Sequence, residues 1–71
     1  MKVSDVIKRL NEDGWYLART KGSHRQFKHS DKKGTVTVAG KFSTDMTIGT
    51  IKSIWRQAQI DQPNNPEQED S

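Results

Sequence analysis

The side chain in this sequence most able to do chemistry is His24, in the run Lys21-Gly22-Ser23-His24-Arg25-Gln26-Phe27-Lys28. Imidazole suits proton transfer near neutral pH, and neighbouring Lys or Arg can hold a phosphate and stabilise charge developing on it. In an extended strand His24, Gln26 and Lys28 share one side, while Arg25, Phe27 and His29 share the other. Phe27 marks the core side, so His24 is expected to point outward, with Lys21 in one adjacent turn and Lys32 and Lys33 in the next. Such a surface fits RNA cleavage without a metal. RNA carries its own nucleophile, the 2′-OH, so a protein needs only a base, cations for the phosphorane-like state, and an acid for the leaving 5′ oxygen. A plainer reading uses the same residues: an exposed histidine that lines a basic binding surface, since most surface histidines catalyse nothing.

The other candidates are weaker. His29 lies five residues beyond His24, on the opposite side of a regular strand, so pairing the two imidazoles would need a bulge; it reads as structural. His24, His29 and Asp31 match no metal-ligand spacing, and the surrounding charge is positive. With no cysteine and two histidines, zinc-finger and iron–sulfur sites are excluded, and no cofactor is expected. Ser23 beside His24 does not make a hydrolase pair, because strand neighbours point apart and no carboxylate is placed to orient the ring. Gly22, and Gly49-Thr50, could offer free backbone N–H groups to phosphate, or could simply form a turn and a helix start. Trp15 and Tyr16 fall on alternate faces, so one of them is a possible base-stacking platform.

The elements that must position these residues follow from periodicity. Val3, Val6, Ile7 and Leu10 form one helical face, predicting a first helix over 4–13 with Ser4 as its cap and Gly14 at its exit. The runs 15–20 and 23–29 read as strands around a Lys21-Gly22 turn; 30–34 is a second turn and 35–39 a third strand. After a loop at 40–46, Ile48, Ile51, Ile54, Trp55 and Ala58 mark a second helix over 47–60, capped by Thr47. The fold class is α+β in the order αβββα. Its three-stranded antiparallel sheet carries both helices on one face and leaves the other open.

The charge divides along the chain. All 12 Lys and Arg lie in residues 1–60 against five acids, a net +7, whereas 61–71 hold four acids and no cation. A strongly basic body is a candidate for binding a polyanion. The segment 61–71, DQPNNPEQEDS, has no apolar side chain and is expected to be a disordered acidic tail following a single domain over 1–60. Mean hydropathy of −1.00 and 71 residues allow only a thin core. Without an apolar run of membrane length or a signal-peptide pattern, a soluble cytoplasmic protein is expected.

Three blocks, DGWYLARTKGSHRQFKH, KKGTVTV and GTIKSIWRQAQI, resemble the HicA-type, or YcfA-like, mRNA interferase toxins over residues 1–60. The most specific part is the Gly-aromatic strand leading to Gly22-Ser23-His24, with Phe27 three residues on. The resemblance implies a double-stranded-RNA-binding-domain-like fold, RNA cleavage dependent on His24, and a HicB-type antitoxin as partner. It makes Lys21, Gly22, Ser23, Arg25 and Lys28 the candidate RNA contacts around catalytic His24. A non-catalytic RNA-binding module of the same fold is the alternative. The sequence departs from the family at Ala39, where a proline is common, at Lys41, where many members carry a second histidine, and at Gln59, where a glycine is usual. The Lys41 difference leaves the acid for the leaving group unassigned.

Overall fold

The computed structural model describes residues 1–60; the expected acidic tail lies outside the described residues. The element order is α1 (Val3–Glu12), β1 (Tyr16–Lys21), β2 (His24–Lys28), β3 (Val36–Ala39) and α2 (Ile48–Ala58). The strands form one antiparallel sheet in the order β1-β2-β3, the expected αβββα arrangement. Among the described residues no helix is long and apolar enough to cross a membrane.

Helix α1 begins earlier than its cap residue suggested. Lys2, not Ser4, is the cap position, and Asp5 Oδ2 accepts from its backbone N–H at 3.0 Å. The N–H groups of Val3 and Ser4 donate to the carbonyls of Thr44 and Phe42 at 2.9 and 3.1 Å. The 40–46 loop thus supplies the acceptors that a capping serine would have supplied.

Cross-strand partners share a face of a sheet. Phe27 pairs with Val36, and both are buried together with Val38, with Val3, Val6 and Leu10 of α1, and with Ile51, Ile54, Trp55 and Ala58 of α2. Both helices therefore cover this one face. Trp15 joins the core and its indole Nε1–H donates to the Ala58 carbonyl at 3.2 Å, tying the start of the hairpin to the end of α2. Ile48, expected in the buried stripe, is exposed; a first-turn side chain leans back past the helix start, away from the sheet.

Thr47 caps α2 as expected, its Oγ1 accepting from Thr50 N–H at 3.3 Å. At the other end Gln59 is left-handed (φ 57°, ψ 43°). Its N–H donates to Arg56 and that of Ile60 to Trp55, the paired bonds of a Schellman motif, which glycine normally completes. Gln59 is one of the positions where the sequence departs from the family it resembles, and here this chain carries a left-handed residue with a Cβ. That costs about 1–2 kcal/mol, against up to about 1 kcal/mol of extra chain entropy that glycine loses on folding. A Gln59→Gly variant is expected to be more stable by about 0.5–1 kcal/mol in urea denaturation; an unchanged midpoint would show that the strain is relieved elsewhere.

Candidate active site

The site face is built by a hairpin and a bulge. Lys21 pairs with His24, so the two-residue turn is Gly22-Ser23, one residue later than expected. Gly22 has φ 60°, the positive angle that a II′ turn needs at its first central residue and that glycine meets without strain. A Cβ at Gly22 would meet nothing within 4 Å, so the turn backbone is open to a ligand.

The register of β1 against β2 slips between Leu17 and Arg19, leaving Ala18 as the extra residue of a β-bulge. Strict alternation from buried Trp15 would send Arg19 and Lys21 toward the helices; the bulge turns them to the open face instead. Three cross-strand rows result. Lys21, His24 and Ala39 form the first, Arg19, Gln26 and Thr37 the second, and Tyr16 and Lys28 the last. The first and last rows lie roughly 13 Å apart at ordinary strand rise.

His24 is exposed, as are Lys21, Gly22, Ser23 and Lys28. These five sequence-predicted residues lie on the open face or in its turn, with Lys28 at the far end. Arg25 does not join them. It pairs with buried Val38, on the helix side. Its Nη1 donates to the Gly40 carbonyl at 2.7 Å, and its guanidinium stacks 4.4 Å above the Phe42 ring. Its chemistry goes into holding the loop that caps α1. Arg19 is the cation that periodicity missed. It stands opposite Gln26, one row from His24, because a bulge leaves no mark in alternation. Of the aromatic pair, Tyr16 is the exposed one, at 52%, while Trp15 is buried.

The second histidine is structural, as its position in the strand implied. His29 Nδ1 accepts from the backbone N–H groups of Asp31 and Lys32 at 2.9 and 3.2 Å, which leaves Nε2 to donate to the Asp13 carbonyl at 2.7 Å. Both ring nitrogens are occupied, and the ring packs edge-on to Trp15. Among the described residues no His, Asp and Glu cluster could hold a metal ion. The α2 start has its own use for Gly49-Thr50, since Thr47 already accepts from Thr50 N–H.

Lys32, expected near His24, is also engaged elsewhere. Its Nζ donates to Asp13 Oδ2 at 2.6 Å and to the carbonyls of Ala58 and Gln59 at 3.3 and 2.9 Å, joining the ends of the two helices. The hydrogen bond from this ammonium holds the Asp13 carboxyl below its ordinary range, outweighing the opposing effect of burial. A carboxyl lowered in the folded state stabilises the fold fully above its unfolded pKa of about 3.9 and loses that contribution as pH falls through the folded value. Stability is therefore expected to drop in the acid range below about pH 4. Lys32→Met is expected to cost about 1–2 kcal/mol at pH 7 and to flatten that acid slope. Urea midpoints from pH 7 to pH 3 check both, and an unchanged slope would remove Asp13 as the cause.

Comparison with known proteins adds one match. A family model described as the HicA toxin of bacterial toxin–antitoxin systems matches residues 3–60. No curated protein matches the chain.

Proposed function

The chain belongs to the HicA toxin family, the toxins of bacterial toxin–antitoxin systems, and from that premise we propose that it is an endoribonuclease of messenger RNA, neutralised by a HicB-type antitoxin. The observation that carries this reading is the open sheet face, where exposed His24 stands in register with Lys21 and beside Arg19 and the bare Gly22-Ser23 turn.

In the proposed reaction a scissile phosphate sits over the first two rows, held by Lys21, Arg19 and the turn backbone. The substrate 2′ oxygen attacks phosphorus as the bond from phosphorus to the 5′ oxygen breaks, giving a 2′,3′-cyclic phosphate and a free 5′-hydroxyl. The 2′-OH gives up one proton and the leaving oxygen takes one. His24 is the imidazole placed to perform one of those transfers. The cations offset charge on the phosphorane-like state, which is the work that a metal would otherwise do. Lys28 and Tyr16, roughly 13 Å away along the strands, extend the same face toward neighbouring nucleotides, through a charge and a ring able to stack.

The test is a labelled RNA incubated with the purified chain in chelator and in magnesium. Shortening of the RNA under both conditions is expected. A retarded but intact RNA would instead establish the non-catalytic binding module.

A further inference from the structure

The geometry points to the free edge of β3 as the seat of a fourth strand, an extended segment of the antitoxin laid between β3 and α2. The inference rests on the chain being a toxin with an antitoxin partner, not on its being a ribonuclease.

The ladder parity comes first. Gly40 N–H donates to the Ser23 carbonyl, so in an antiparallel pair Val38 and Val36 also turn their N–H and C=O toward β2, and Thr37 and Ala39 turn theirs outward. Outward strand groups are a template for another strand unless the edge is guarded. The opposite edge, β1, is guarded by the Ala18 bulge and by Arg19 and Lys21. The β3 edge, Val-Thr-Val-Ala, has no charge, proline or bulge.

Beside that edge runs a groove of about 350 Å³ bounded by Thr37 and Ala39 on one side and Gly49, Thr50, Ser53 and Gln57 of α2 on the other, with Met46 and Ile54 as its apolar lining. Small and hydroxyl side chains there leave width for an extended backbone, and a strand lying between a sheet edge and a helix is an established mode of peptide recognition. The chemistry favours peptide over RNA, because the lining holds no Lys or Arg to meet a phosphate. It favours a partner over a second copy, because two bodies of +7 repel. Ala39 is the cross-strand neighbour of His24, so an added strand would lie two strand spacings, about 10 Å, from His24, and the rest of the antitoxin carried on it would stand at the rim of the open face and obstruct RNA.

Gly49 allows a test that spares the fold. A Cβ at Gly49 would meet nothing within 4 Å, and a larger residue improves helix propensity there. Using the full chain and a HicB-type antitoxin that binds it, Gly49→Leu and Gly49→Trp are expected to weaken antitoxin binding by about tenfold or more, one principal contact's worth. RNA affinity should hold and the melting temperature should not fall. Amide hydrogen exchange at Thr37 and Ala39 is expected to be fast in the free chain and slowed in the complex, as hydrogen-bonded edge amides are. Three results would each overturn the inference. These are equally fast exchange of the two amides in the complex, protection of both already in the free chain through self-pairing, and loss of RNA and antitoxin binding alike in the Gly49 variants. Failure to cleave RNA would sink the ribonuclease reading and leave this measurement standing.

Discussion

His24→Ala is expected to fold as the parent does and to cleave RNA at least about 100-fold more slowly, since a positioned proton-transfer group contributes 10²- to 10⁴-fold. Two observations make the comparison clean. His24 is exposed, so truncation leaves no cavity in the core, and none of the side-chain hydrogen bonds within the described residues uses its ring. RNA affinity should change little, because the cations of the face remain. Single-turnover cleavage with a thermal melt measures both, and an undiminished rate in a folded variant would refute the role. The cations can be sorted by the salt dependence of RNA binding. Arg19→Gln and Lys21→Gln are each expected to reduce the slope by about 0.7 for a single strand. Arg25→Gln should leave the slope alone and loosen the Gly40–Phe42 loop.

Gly14→Ala is expected to be the most damaging small change in the chain. Gly14 has φ 104°, and a Cβ there would lie 2.7 Å from His29 Nε2. That nitrogen is hydrogen-bonded to Asp13, and its ring is pinned by two backbone N–H groups and by Trp15. The ring cannot yield without breaking several contacts that fix the end of α1. Backbone strain of about 1–3 kcal/mol adds to the broken hydrogen bonds, each worth about 1 kcal/mol, for a loss of about 3 kcal/mol or more. A domain this small holds only about 5 kcal/mol in total, so the free variant should keep about 2 kcal/mol or less, melt at a much lower temperature than the parent, and regain stability when antitoxin is supplied in excess. Circular dichroism with and without the partner decides it, and a melt within a few degrees of the parent would show that His29 can move.

How much of this was legible in the sequence depended on the kind of signal. The helices and strands were readable because apolar residues recur at their proper periods, and Thr47, Gly14 and Trp55 stood where caps and cores need them. The inward side of β2 followed from Phe27 alone. The helix start at Lys2 was missed because its acceptors come from Phe42 and Thr44, forty residues away in sequence. Within the candidate site, the outward position expected for His24 follows from alternation against Phe27, and Lys21 stands opposite it in the hairpin. Alternation already put Arg25 on the Phe27 side, and only the resemblance made it an RNA contact; Lys32 was expected near His24 by its closeness in sequence, but it is turned away and binds Asp13 and the carbonyls of Ala58 and Gln59. Arg19 was invisible for the opposite reason: an extra residue in β1 reverses the alternation that sequence reading depends on.

That extra residue makes β1 tolerant of losing length but not of gaining it. Removing the Ala18 codon would return a regular strand in which Tyr16, Arg19 and Lys21 keep their outward face, because the ladder with β2 already skips that residue. Inserting a codon elsewhere in β1 would drive either Trp15 out of the core or the cations into it. Among relatives of differing length, the first strand should therefore shorten at this one position, the one place in β1 where a lost residue leaves both the core and the cationic row where they are.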